Sequence, residues 1–199
     1  MITAVRVSLV VVPLEETAML ASDAFDFVPT LVGESITLRP LRAEDFENVY
    51  AAAADPLIWE QHPFPLRFQR YVFESGFWRS AVESTGALVI AEHATGKIIG
   101  SSRFYEWDPS RREVAIGFTF LCRDHWGGKT NRELKRLMLE HAFRRATVVW
   151  FHVGSNNLRS RKAVEKIGGV FSHEDSKEIH GVIHAHAFYR IDAPGMTGA

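Results

Sequence analysis

Residues 113–168 constrain this chain more than any other stretch. A strand-like run, Glu113–Leu121, leads into Trp126-Gly127-Gly128-Lys129-Thr130-Asn131, which opens an amphipathic helix. An apolar strand follows at 147–153, and Asn157-Leu158-Arg159-Ser160 opens a second helix that runs to Ile167-Gly168. A crossover helix of this length sets the two strands parallel and lays the helix over one face of their sheet. It also brings two helix N-termini beside one strand. The first turn of a helix has N–H groups without intrahelical partners, and the helix dipole is positive there, so each end attracts an anion. Two such ends flanking one strand predict a site for an elongated, phosphate-bearing ligand.

Charge points to the same place. Eleven Lys/Arg against four Asp/Glu fall between Arg123 and Lys166, a local net charge of +7, while the whole chain carries −1. A solvated basic helix face would give the same count; its coincidence with glycines and helix starts favours a ligand. The overall charge gives no reason to expect nucleic-acid or membrane binding. At 199 residues and 46% hydrophobic content the chain can bury one sizeable core. Cys122 is the only cysteine, which excludes an internal disulfide and predicts a reducing, cytoplasmic setting. The apolar run at 5–14 holds Arg6 and precedes Glu15-Glu16, too weak a pattern for a secretory signal. We read residues 1–30 as an N-terminal extension with an extra strand at 5–12, Met19 being an alternative start, 31–192 as the domain, and 193–199 as a tail.

Periodicity sorts the remaining elements. Residues 36–39 alternate as a strand that Pro40 stops, and 43–54 is helical, with Phe46, Val49 and Tyr50 on one stripe and Asp55-Pro56 ending it. A second helix covers 68–83. Strands at 87–93 and 98–105 are joined by Ala94-Thr95-Gly96-Lys97, and the turn Asp108-Pro109-Ser110 leads into Glu113–Leu121, where strict alternation puts Val114, Ile116, Phe118 and Phe120 on one face. The helix at 128–144 carries an apolar stripe of Leu134, Leu137, Met138, His141 and Ala142. The last helix is expected to bury Ser160, Ala163, Val164 and Ile167, and two strands follow near 170–173 and 182–191. The sum is a mixed α/β fold: a mostly antiparallel sheet of about seven strands with a β-α-β-α segment.

That order and both motifs resemble the GNAT superfamily of N-acetyltransferases, in particular the branch related to ribosomal-protein N-terminal acetyltransferases. The resemblance covers about residues 30–192. It rests on Ile36-Thr37-Leu38-Arg39-Pro40-Leu41 with Glu44-Asp45, Asp55-Pro56, Ile98-Ile99-Gly100, Ile116-Gly117, and Asn157-x-x-Ser160 followed by Glu165-Lys166-Ile167-Gly168. It implies acetyl-CoA as acyl donor, with its pyrophosphate on the backbone amides of Trp126, Gly127, Gly128, Lys129, Thr130 and Asn131. The family pattern has small residues where Lys129 and Asn131 stand; glycines 127 and 128 keep flexibility one step early. Lys129 can add a phosphate contact or simply be a solvated lysine. Gly128-Lys129-Thr130 also suggests a nucleoside-triphosphate loop, but that motif needs a glycine where Arg123 stands.

The resemblance further implies that the strands at 113–121 and 147–153 splay apart, and that the pantetheine arm pairs with the main chain near Phe120, Leu121 and Cys122. Cys122 itself reads as a plain buried thiol. Direct attack of an amine on a thioester needs a base or a water relay. The branch has a glutamate where this chain has Ala115, so Glu113, two residues away, is the candidate base, with His152 and Glu60 as others. The family's tyrosine acid falls at Val164, leaving Ser160 as the available donor to the departing thiolate, or else a packing residue. Asn157 either contacts the cofactor or caps its helix. The loop Trp59-Glu60-Gln61-His62-Pro63-Phe64-Pro65 borders the acceptor pocket in such enzymes, and a packed loop reads equally well. His180, His184 and His186 lie close in sequence, but no acid or cysteine joins them at a metal-ligand spacing, so no metal is expected. The reading is therefore an acetyl-CoA-dependent N-acetyltransferase acting on a primary amine, with a non-catalytic CoA-binding module as the alternative. A homodimer is compatible with it.

Overall fold

The computed structural model describes residues 24–179 and 181–195, so the strand expected at 5–12, Met19, His180 and residues 196–199 lie outside it. The eight strands are β1 (Leu31–Val32), β2 (Ile36–Pro40), β3 (Ala87–Glu92), β4 (Ile98–Asp108), β5 (Glu113–Leu121), β6 (Val148–Gly154), β7 (Val170–Ile179) and β8 (Val182–Asp192). They form one sheet in the order β1-β2-β3-β4-β5-β6-β8-β7. The helices are α1 (Phe46–Ala53), α2 (Pro56–Trp59), α3 (70–83, with a π turn at Phe73–Trp78), α4 (Lys129–Ala142) and α5 (Leu158–Glu165). The β5–β6 pair is parallel, as the α4 crossover requires, and the other neighbours are antiparallel.

Each face of the sheet carries its own core. On one face α4 seats Leu134, Leu137, Met138 and Ala142 against Leu38, Leu88, Phe104, Val114 and Ile116, and each large side chain buried there stabilises the fold by about 1.5–3 kcal/mol. His141 completes the expected stripe, its Nε2 2.7 Å from the Asp26 carbonyl, and Phe25 of the N-terminal segment packs into the same core. The opposite face holds Val49, Ala52, Trp59, Phe73 and Phe77 of α1–α3 over Val89 and Phe120. Beyond these helices the same face, the open face, runs over β6 and β8, where Trp150, His152 and Phe188 are half-buried.

Three expectations need correction. Val114, Ile116, Phe118 and Phe120 do not share a face: Ser101 pairs with Phe120 but Arg103 with Gly117, so two residues oppose Ser102 and β5 bulges. Phe118 takes φ +52° there, stands 41% exposed, and Phe120 joins the helical lobe while Val114 and Ile116 face α4. In α5 only Val164 is buried; Ser160, Ala163 and Ile167 are half-buried. Strand β7 runs on to Ile179 through an exposed polar edge whose side chains give no apolar alternation.

Candidate active site

Strands β5 and β6 pair only over Glu113–Ala115 with Val148–Trp150. Beyond those residues, among the described residues, β5 bonds only to β4 and β6 only to β8, so 116–121 and 151–154 present two strand edges without a described partner to one another. The bulge at Phe118 lies on this free stretch. An extended ligand can complete either edge with main-chain hydrogen bonds, as an added strand would.

The free stretch ends at the start of α4. Gly128 is the N-cap and supplies no side-chain hydrogen bond, no acidic residue occupies the first turn, and Gly127 sits at φ +68°. Most helix starts are neutralised by a capping oxygen or a carboxylate. This one leaves its first N–H groups to an outside anion, with Lys129 exposed beside them. Trp126 is half-buried and donates from Nε1 to the Leu121 carbonyl at 2.9 Å. Thr130 Oγ1 lies 3.4 Å from His125 Nδ1, and Asn131 is half-buried in the first turn. Phe120 and Leu121 are buried in different cores. The Cys122 thiol donates to the Ala52 carbonyl at 3.5 Å, and burial, with Asp124 nearby, pushes its pKa up, which suits an unreactive thiol.

The second helix start stands alongside. Asn157 Oδ1 accepts from Ser160 N at 3.1 Å, the cap its residue type favours. The Ser160 hydroxyl has no protein partner among the described residues. Arg159 lays its guanidinium 4.1 Å from the Trp126 ring centre and donates to Glu60 and to the Ile58 carbonyl. Glu60 is thereby held by Arg159 on the outside of the 59–65 loop. That loop reaches β6, since a Cβ on Gly154 would stand 3.0 Å from Pro63, and Phe64 meets His184 at 5.1 Å between ring centres.

On the open face, a polar cluster flanks the point where the strands part. Tyr105 lies against Gly117, where a Cβ would come within 2.9 Å of the tyrosine ring. The Tyr105 hydroxyl and Lys177 Nζ lie 3.1 Å and 2.8 Å from His152 Nδ1. Both are donors, so the tautomer assigned to His152 carries its proton on Nε2. Glu106 stands 3.2 Å from Lys177 and 3.6 Å from His152. Burial, reinforced by the Lys177 charge, pulls the His152 pKa down to about 3, so the ring is neutral at physiological pH. Burial, with Glu106 nearby, raises the Tyr105 pKa and keeps it a proton donor.

Sequence reasoning missed Lys135. It is 6% exposed on α4, its Nζ donates to Thr119 Oγ1 at 2.7 Å and lies 5.5 Å from the Phe151 ring centre. Thr119 and Phe151 belong to the two free strand stretches, so an amine sits between them. Burial lowers its pKa to about 7. The available signal was a lysine directly beside Leu134 and one turn before Met138, within the apolar stripe.

Glu113 stands apart from this arrangement. It lies at the closed end of β5, four residues or about 13 Å along the strand from Gly117, and accepts from Trp150 Nε1 at 2.9 Å with Arg111 3.4 Å away. Of the histidine group, His186 is 7% exposed with Nδ1 3.0 Å from the His184 carbonyl. No helix among the described residues is long and apolar enough to cross a membrane.

Comparison with known proteins agrees with this geometry. A search of curated proteins returns no match. Among solved structures, a GCN5-related N-acetyltransferase from Brucella melitensis superposes with a TM-score of 0.70 at 19% identity, covering 82% of this chain and 78% of that one. An acetyltransferase from Agrobacterium tumefaciens gives 0.62 at 24% identity over 83% and 95%. A candidate ribosomal-protein-serine acetyltransferase from Vibrio cholerae gives 0.68 at 12% identity over 83% and 98%. These likenesses establish the fold. The family model described as the acetyltransferase (GNAT) domain matches residues 35–170, most of the chain, and with the parted strands and the uncapped helix start it places this protein in the GNAT acetyltransferase family.

Proposed function

We propose that the protein transfers an acetyl group from acetyl-CoA directly to a primary amine. The observation that carries this reading is the parting of β5 and β6 beside the uncapped start of α4. Acetyl-CoA supplies an activated acetyl group as a thioester. The amides of 126–131, with Lys129, hold its pyrophosphate, and the main chain of Phe120, Leu121 and Cys122 aligns its arm. The acceptor nitrogen reaches Gly117 from the open face. It bonds to the acetyl carbon as the carbon–sulfur bond breaks, and its proton ends on the CoA sulfur.

Residue roles follow position. Ser160, whose hydroxyl in the first turn of α5 has no partner among the described residues, donates to charge developing on sulfur. His152, Tyr105 and Glu106 form the proton-handling chain nearest Gly117, which speaks for them over Glu113 as the route for the amine proton. A non-catalytic CoA-binding module is the second reading, favoured by the buried Val164 in place of a tyrosine. Calorimetry should give much weaker binding of the phosphate-free pantetheine fragment than of CoA, and equal affinities would remove the phosphate site. Thiol release from acetyl-CoA with mixed amines and peptides separates enzyme from module.

A further inference from the structure

A cation in this fold can be matched by an acid: the half-buried Arg39 makes two hydrogen bonds of 2.7 Å to the buried Asp45 carboxylate. Two arginines at the helical lobe lack such a match. Arg103 is 5% exposed and donates from Nη1 to Ser80 Oγ at 3.0 Å, but its Nε and Nη2 are buried without a partner among the described residues. The Phe118 ring covers it, 4.1 Å from the guanidinium carbon. Arg67 hangs from the helical lobe among Phe64, Trp59 and Phe77, with the ring centres 5.0 to 5.8 Å away. Its nearest polar neighbour is His62 Nε2 at 3.2 Å. Neither arginine has an ion-pair partner among the described residues.

Their position gives the imbalance a meaning. Arg103 pairs with Gly117 in the β4–β5 ladder, next to the point where the strands part. Arg67 borders a cavity of about 280 Å³ with Phe64, Val72, Ser75 and Gly76. The two charges are close enough that Arg103 adds to burial in lowering the Arg67 pKa, to about 10. Both remain protonated at neutral pH. Unpaired buried charge and unmet donors are costly, and an anion bound between two guanidinium groups offsets both. The ring over Arg103 belongs to an exposed residue at positive φ on the free stretch of β5, with Tyr105 as its ring neighbour at 5.3 Å.

We propose that the acceptor is an anionic amine, whose carboxylate or phosphate is held by Arg103 and Arg67 while its amino nitrogen stands beside Gly117; this rests on the acetyl-transfer reading above. The test compares matched acceptors: an amino acid with its carboxamide, and an aminoalkyl phosphate with the corresponding amino alcohol. Each is measured by thiol release from acetyl-CoA and by calorimetric binding to the CoA-loaded protein. The anionic member should exceed its neutral partner at least tenfold in both, and whichever pair shows the larger ratio identifies the anion. Arg103→Lys keeps a charge in place but loses the guanidinium fork, and Arg67→Gln sits at the cavity edge; each should bring the ratio toward one. A ratio near one in the unaltered protein, or one that survives both substitutions, overturns the proposal. Absence of thiol release with every acceptor would strike the acetyl-transfer reading instead, and the binding ratio would still decide the anion site.

Discussion

Arg159 and Trp126 stack with the guanidinium carbon 4.1 Å from the ring centre, and this contact joins the starts of α4 and α5. The same arginine bonds to Glu60 and to the Ile58 carbonyl, and its backbone N–H donates to Gln61. One side chain therefore fixes both helix starts against the helical lobe. Stacking of this kind contributes about 0.5–2 kcal/mol. Trp126→Ala should destabilise the fold by about 2–4 kcal/mol, read from the denaturant midpoint, and weaken acetyl-CoA in calorimetry. Trp126→Phe should recover part of both losses, and an unchanged affinity in the alanine variant would separate the loop from the cofactor.

Lys135 predicts an unusual pH dependence. Its folded pKa of about 7 lies below the ordinary lysine value, so between pH 7 and about 10 the unfolded chain binds the extra proton. Stability from this group should rise with pH across that window, and the cost of burying the ammonium is borne in full below it. Lys135→Met should be more stable than the parent at pH 6, with the difference shrinking towards pH 10. A constant difference in pH-resolved denaturation would argue against a buried ammonium.

Glu113 and Tyr105 should respond differently to removal of their acid–base function. Glu113→Gln keeps an oxygen for the Trp150 indole, so stability should change by less than about 1 kcal/mol and kcat/KM by no more than about threefold. Tyr105→Phe should lower turnover about tenfold or more while sparing acetyl-CoA affinity. Because burial holds His152 at about 3, the profile of kcat between pH 5 and 8 should contain no His152 limb. A hundredfold loss in a folded Glu113→Gln enzyme would return the base to Glu113.

Ser160 and Asn157 divide by readout. Ser160→Ala should bind acetyl-CoA normally and lose about tenfold or more in turnover. Asn157→Ala should cost about 1 kcal/mol through the lost cap, visible in thermal unfolding. Full activity in Ser160→Ala would leave the serine a packing residue.

Much of the scaffold is legible in the residues because side-chain period and helix punctuation are local. The Leu134-to-Ala142 stripe, the turn at Gly96 and the Asn157 cap all depend on neighbours within a few positions. Features set by distant partners escape such reading. The bulge at Phe118 arises from register with β4, and the polar length of β7 is held by β8 rather than by its own pattern. Arg103 looks like an ordinary surface cation until tertiary packing buries it, Lys135 is betrayed only by its place within the apolar stripe, and Glu113 looks near Ala115 although it faces the closed end of the strand.

The extra residue in β5 also fixes the permitted length of that strand. Side chains on a strand alternate with a period of two, so an odd change in length inverts everything downstream. Unbroken alternation from Val114 and Ile116 would turn Phe120 towards α4 and Leu121 towards Trp59; the bulge at Phe118 is the odd residue that reverses both. A loop such as 94–97 can grow or shrink by any number. Elsewhere along β5 only paired insertions or deletions keep parity, so the strand counts residues as strictly as a reading frame counts bases, and the bulge is its one built-in frameshift.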